Sequence, residues 1–223
     1  MNPLIKKFKE YGNLNPEIEE ELSKRIKFQT KQKGDFFLKQ GQIVSSLFII
    51  EKGLVRSFFI KDDKEVNAWF GFENIILGSI LPLFYKLPSF ENIQFLEQSN
   101  IYYITSDDLN ELYKKYHQME TIGRIMAEEY CKILEERIMS LHTQSAEQRY
   151  QTLLREQPEV SQRVSLGHIA SYLGITQETL VAYERSKFNL TFVKKFSSII
   201  QFLCIINLMS YDFNYRRIRT FGN

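Results

Sequence analysis

At 223 residues, with 43% hydrophobic and 25% charged side chains, the chain has the make-up of a water-soluble globular protein with room for one large or two small domains. A net charge of only +2 announces no nucleic-acid partner by bulk basicity, yet ten of the 29 Lys/Arg and only six of the 27 Asp/Glu lie from Thr143 onward, a basic C-terminal part suited to a polyanion. Two distant cysteines, Cys131 and Cys204, exclude a cysteine-rich iron–sulfur or zinc site and argue against a disulfide framework; both sit in apolar patterns, which predicts buried free thiols.

In chain order, the opening MNPLIKKFKEYGNL lacks an apolar signal core, so the expected setting is cytoplasmic. Residues 1–30 read as helical, with Ile18, Leu22 and Ile26 on one stripe and Pro16 in a first turn. From Gly34 to about Ile104 the pattern changes to short runs rich in Phe, Ile and Val. Turn signals at Lys33-Gly34, Gln40-Gly41, Lys52-Gly53 and Lys61-Asp62-Asp63 separate them, which predicts a small antiparallel barrel or sandwich with 99–105 as its last strand. Thr105 then starts a helix by capping the amide of Asp108, with Leu109, Leu112 and Tyr113 facing inward.

The longest helix runs from about Met119 to His142, roughly 34 Å at 1.5 Å per residue. Ile122, Met126, Tyr130, Ile133, Leu134, Ile138 and Leu141 form one stripe, widened by Ile125 and Met139. Such a face calls for another helix, and a second copy of the chain is the natural partner; the alternative is packing on its own barrel. Another helix covers Ser145 to Gln157, ended by Pro158, and residues 158–163 read as a loop.

The stretch SLGHIASYLGITQETLVAYERSKF, 165–188, follows. Ser165 caps a helix whose apolar positions are Leu166, Ile169 and Tyr172; Gly174 supplies the left-handed turn, and small Ala170 permits close approach. Thr176 caps a second helix, with Gln177, Glu178 and Thr179 in its first turn and Leu180 inward. This is a helix-turn-helix pattern; a helix pair that never meets DNA is the alternative. In such a unit the first turn of the second helix reaches base edges. Gln177 pairs bidentately with adenine, Thr176 and Thr179 meet phosphate or a thymine methyl, and Glu178 accepts from cytosine. Arg185 and Lys187 are placed for phosphate, and Ser165 joins this DNA-contacting set. The longest apolar run, 199–209, is too short to cross a bilayer, so no membrane partner is expected. The tail YRRIRTF, 215–221, is either a basic arm touching phosphate or a solvated end.

Barrel, long helix and helix-turn-helix in this order, with SAEQRYQTLLREQPEVSQRVSLGHIASYLGITQETL at 145–180, resemble the Crp/Fnr superfamily, the cyclic-AMP receptor protein and its relatives, in its Bacteroidetes branch. The resemblance covers about residues 10–180. It implies an α+β fold: a cyclic-nucleotide-binding-like β-roll, or jelly roll, in 1–118, a dimerisation helix in 119–142, and a winged-helix-like helix-turn-helix domain with an atypical tail in 143–223. It also implies a homodimeric transcription regulator, controlled by a ligand or signal, on a two-fold symmetric operator in double-stranded DNA, with RNA polymerase as a further candidate partner.

The resemblance places the ligand pocket at Phe70, Gly71, Glu73, Asn74, Ser89, Glu91 and Asn92, with Glu73 matching the family's ribose-binding Glu. No Arg occurs in 70–97, so a cyclic phosphate would be desolvated without a guanidinium partner; cyclic AMP is therefore not the expected effector. The Phe- and Leu-rich cavity either takes another small molecule or is filled by side chains. Scattered His117, His142 and His168 and the lack of a cysteine cluster speak against haem and the family's iron–sulfur mode, so no cofactor is expected. Where the family continues with Ser-Arg, this chain has Val181-Ala182, and one inserted residue would bring 185–188 back into register. Divergence or an altered reading frame accounts for this. The second functional reading is thus a ligand-binding or protein-interaction protein of the same fold with degenerate DNA reading. No catalytic constellation is present, and the paired Glu128-Glu129 and Glu135-Glu136 read as solvated surface, so an enzyme is not expected.

Overall fold

The structure, a computed structural model, describes residues 1–185. Lys187, Cys204, the apolar run 199–209 and the basic tail lie outside the described residues. The chain divides into two compact units, Met1–Ile175 and the residues from Thr176 onward.

The first unit opens with helices α1 (Pro3–Tyr11) and α2 (Pro16–Arg25), each capped by an asparagine side chain, Asn2 and Asn15, just before a proline. Eight strands follow: β1 (Lys27–Lys31), β2 (Phe36–Leu38), β3 (Ser46–Lys52), β4 (Val55–Lys61), β5 (Lys64–Gly71), β6 (Ile76–Leu77), β7 (Asn92–Phe95) and β8 (Ser99–Thr105), with a π-helical turn at Leu81–Tyr85. They form two antiparallel sheets, β1-β8-β3-β6 and β2-β7-β4-β5. The β4–β5 hairpin pairs Lys61 with Lys64 across Asp62 and Asp63, both at positive φ, as a two-residue turn matched to strand twist requires.

The period-2 alternation of β3 sorts two cores. Phe48 and Ile50 join Leu38, Val55, Ile93, Phe95 and Ile101 in one cluster, while Leu47 and Ile49 join a second with Leu4, Phe8, Ile18, Leu22, Leu109, Leu112, Met119 and Ile122. The helices at both ends of the roll thus share one apolar body with β3.

The expected helix over 1–30 is corrected. It is two helices and then strand β1, whose Lys27–Lys31 pairs with Tyr103–Ser99 of β8. Ile26 is no helical stripe residue: its backbone is extended, and it packs beside the helical core. Helical periodicity through Ile26 is overridden by pairing with a strand some seventy residues away.

After β8 come α3 (Ser106–Lys115), α4 (His117–Thr143), α5 (Ala146–Glu156), α6 (Val160–Arg163) and α7 (Leu166–Leu173). Thr105 caps α3 at the Asp108 amide, 3.1 Å away, as expected. Residues 158–163, expected as a loop, contain the short helix α6. On α4 the apolar stripe divides: Met119 and Ile122 are buried and Met126 packs beside them, but Tyr130, Ile133 and Ile138 are 40%, 51% and 55% exposed. Cys131, expected buried, is exposed on the same stretch, whose apolar stripe is left largely uncovered by the described residues. Ser145 opens α5 with a capping box: its hydroxyl accepts from the Gln148 amide and the Gln148 side chain accepts from the Ser145 amide. Among the described residues no helix is long and apolar enough to cross a membrane.

Candidate DNA interface and β-roll site

Helix α7 starts at Ser165, whose Oγ accepts from the His168 amide at 3.3 Å. It ends in a Schellman turn: Gly174 has φ +71°, its N–H donates to Ser171 O at 3.2 Å, and the Ile175 N–H donates to Ala170 O at 3.0 Å. Arg149 of α5 reaches the same end, donating to Leu173 O at 2.8 Å and so satisfying a carbonyl the helix leaves orphaned. Ile169, Ala170 and Leu173 are buried, Tyr172 is half-buried, and Leu166, one of the expected apolar positions, is exposed.

In the second unit a helix, α8, spans 177–185 within the described residues. Thr176 caps it, accepting from the Thr179 amide at 3.3 Å, with the two hydroxyls 3.1 Å apart. Thr176, Gln177 and Glu178 are exposed, Thr179 is half-buried and Leu180 is buried. The backbone amide of Glu178 and the Thr176 hydroxyl hold the Glu178 carboxyl below its ordinary range, so it is an anion at neutral pH. Ala182 and Arg185 are exposed; Val181, Tyr183 and Glu184 are half-buried.

The seven residues expected at a ligand pocket fall into two groups. Ser89 and Glu91 join Ser57 and Ser79: Ser79 Oγ and Ser89 Oγ are 3.2 Å apart, Ser89 Oγ donates to Glu91 O at 2.9 Å, and Ser57 Oγ donates to the Glu91 carboxylate. Asn92 is bound close by in sequence, accepting from the Gln40 amide at 3.0 Å and donating to Phe58 O at 3.4 Å. These polar groups, largely buried, satisfy one another. In the other group Phe70 and Glu73 face the helices, whereas Gly71 and Asn74 pack within the roll. The Phe70 ring meets that of Tyr172 of α7 in a tilted contact at 5.5 Å, Gly71 leaves no room for a Cβ beside Leu77, and the Asn74 amide donates to Ile50 O at 2.9 Å with φ +64°.

Glu73 is engaged from outside the roll. Arg163, the last residue of α6, donates to both its oxygens, at 2.9 and 2.8 Å, and the Gly53 amide donates to Oε1 at 2.8 Å. These donors lower the Glu73 pKa to about 2, led by the Arg163 hydrogen bond, against a smaller opposing effect of burial.

Two arginines escaped the sequence reading. Arg163 lies in what reads as a loop. Arg56, on β4, is 4% exposed; it donates to Gln94 Oε1 at 2.7 Å through one terminal nitrogen and to the Glu65 carboxylate at 2.5 Å through the other, with Phe58 under its guanidinium at 4.0 Å. Arg56 sits outside 70–97, so the absence of Arg in that stretch left a buried guanidinium on the neighbouring strand unnoticed. The pattern of β4 gave no signal for it, because Val55, Arg56, Ser57 and Phe58 are buried in succession rather than alternately. Arg163 carried none, because its partners lie at 53, 73 and 97.

Comparison with known proteins gives the same picture. The family model described as cyclic nucleotide-binding domain matches residues 28–116. No curated protein matches the chain. Among solved structures, FixK2 from Bradyrhizobium japonicum is 15% identical with a TM-score of 0.63, covering 74% of this chain and 86% of that one. A transcriptional regulator of the Crp/Fnr family from Eubacterium rectale is 15% identical with a TM-score of 0.58, covering 78% and 83%. The c-di-GMP responsive global regulator CLP from Xanthomonas campestris is 14% identical with a TM-score of 0.58, covering 78% and 92%. The chain carries a cyclic nucleotide-binding domain at 28–116, and its structural neighbours include regulators of the Crp/Fnr family, whose fold it shares.

Proposed function

We propose that this protein is a homodimeric DNA-binding transcription regulator whose β-roll responds to a ligand or signal other than cyclic AMP. The observation that carries the reading is the run from Ser165 to Thr179. A capped helix ends in a left-handed glycine and is followed by a second capped helix with Thr176, Gln177 and Glu178 exposed in its first turn. Structural neighbours among Crp/Fnr regulators support the same assignment.

Dimerisation is supported by the uncovered half of α4, where Tyr130, Ile133, Leu134, Ile138, Met139 and Leu141 are all exposed in the single chain. The case against cyclic AMP rests on Glu73, already engaged by Arg163, and on the 70–97 stretch, which offers no guanidinium to a cyclic phosphate. CLP is described as c-di-GMP responsive, but nothing in this chain singles out that ligand.

The test is fluorescence anisotropy of the full chain with duplex DNA from upstream of its own gene. Tighter binding to that duplex than to a shuffled one supports the regulator reading. Equal binding to both would instead favour a protein of this fold with degenerate DNA reading, which Val181-Ala182 in α8 argues for. Calorimetry with cyclic AMP should show no saturable heat.

A further inference from the structure

The guanidinium of Arg163 is held by three separate turns of the β-roll. Besides both oxygens of Glu73, it donates to Glu97 Oε1 at 2.6 Å and to Gly53 O at 3.1 Å, and the Phe72 ring lies 5.5 Å away. Glu159, one turn earlier on its own segment, is a third carboxylate partner. Gly53 is fixed in this role: its φ is +126°, and an added Cβ would stand 2.0 Å from Ser99 Oγ, so the carbonyl and amide that face Arg163 and Glu73 cannot be carried by another residue without displacement. The planar guanidinium fork matches such a set of acceptors, which an ammonium would not. Exposed ion pairs contribute little singly. Here, though, the Arg163 and Glu73 side chains are only 22% and 26% exposed and belong to a network.

The same helical segment meets the roll at a second place. Strand β5 is the edge of its sheet, and α7 covers it. Ser171 Oγ accepts from the Asn67 amide at 3.1 Å and donates to Glu65 O at 2.8 Å, so one hydroxyl satisfies two edge groups of β5. Tyr172 lies between Phe70, on β5, and the Arg137 guanidinium of α4, 4.0 Å from its ring. Yet Asn67 Nδ2 and His168 Nδ1 are buried here with no hydrogen-bond partner among the described residues. Unpaired buried polar atoms oppose closure. Hydrogen bonds, ion pairs and an aromatic contact join these junctions, the kind of polar contact that leaves relative motion open.

We propose that Arg163 is an electrostatic clasp that holds α6 and α7 closed on the β-roll, and that its release from Glu73 and Glu97 frees both helices together while the roll stays folded. Closure engages the first helix of the unit proposed to bind DNA, so the clasp opposes DNA binding; this consequence rests on the regulator reading, whereas the clasp itself does not. In the closed state Glu73 is also unavailable to any ligand of the roll. Ligand capture at Glu73 and helix release are therefore alternatives to closure that reinforce each other.

Hydrogen exchange on the full chain tests the clasp in the unmodified protein, Arg163→Gln, Glu73→Gln and the double variant. The expected result is about tenfold faster exchange at the Asn67 amide and through 160–173 in each single variant, given the modest net value of partly exposed charged hydrogen bonds. The double variant should be no faster than the faster single one, and β3 and β8 should keep their protection. Unchanged exchange in either single variant, additive acceleration in the double, or lost protection in β3 and β8 would overturn the clasp. Anisotropy with the upstream duplex supplies the second arm. Tighter binding by the opened variants supports gating, and unchanged or weaker binding overturns it. Duplex binding by none of the four proteins, with exchange responding as stated, supports the clasp and sinks the regulator reading instead.

Discussion

Glu73 keeps its charge far into acid because Arg163 and the Gly53 amide both favour its ionised form, and the linkage has a definite sign. Its folded pKa, about 2, lies below the ordinary 4.5, so the stabilisation is complete above the unfolded value and is lost as pH falls from about 4.5 towards 2. The shift sets an upper bound on the order of 3 kcal/mol, and partial exposure reduces it. His168 acts in a different window. Burial, and then the charge of Arg56, lower its pKa from 6.5, so the unfolded chain binds this proton more tightly and stability falls as pH drops below about 6.5. Thermal melts between pH 8 and pH 3 should therefore show two acid-induced losses. His168→Gln should remove the upper one and Glu73→Gln the lower; a single loss, unmoved by either substitution, would contradict the assignment. At the other end of the chain, Gln177→Ala should weaken operator binding by about 1–3 kcal/mol and relax one base position, as read by anisotropy against single-base variants.

At the scale of elements, α4 carries two different faces in one helix. Its first turns are fixed by Met119 and Ile122 in the core, whereas Ile133 and Ile138 stay more than half exposed among the described residues. Ile133→Glu with Ile138→Glu should convert a dimer to a monomer in sedimentation equilibrium without lowering the monomer's helix content; a monomeric unmodified protein would contradict the dimer reading. The capping box of α5 gives a smaller effect: Ser145→Ala should cost about 1 kcal/mol in denaturant unfolding. Local chemistry of this kind was legible in the sequence. Thr105, Ser165, Gly174 and Thr176 take the capping and turn roles their spacing predicts, because each acts on amides or carbonyls within a few residues. Strand β1 was not legible, since KFQTK becomes a strand only by pairing with β8. Nor was the role of Arg163, which depends on turns near 53, 73 and 97 arriving beside α6. The candidate site divides the same way: the caps of the helices proposed to face DNA could be read from spacing, whereas the partners of Glu73 and Ser89 could not.

For the whole molecule, the β-roll supplies carboxylates and edge groups on one side, and the helical segment supplies Arg163, Ser171 and Tyr172 to meet them. The central claim is that this arrangement serves a DNA-binding regulator. Because phosphate contacts release counterions, its DNA affinity should fall linearly in logarithm with salt, and substituting Arg185, proposed to contact phosphate, should lower that slope by about one. The most direct measurement is a salt-series anisotropy titration of the full chain against its own upstream duplex and a shuffled duplex of equal length. The account predicts preference for the upstream duplex by at least about 1,000-fold, as specific regulators show, with the preferred site two-fold symmetric. Equal affinity for both duplexes, or no binding to either at moderate salt by the unmodified protein and by Arg163→Gln alike, would contradict it.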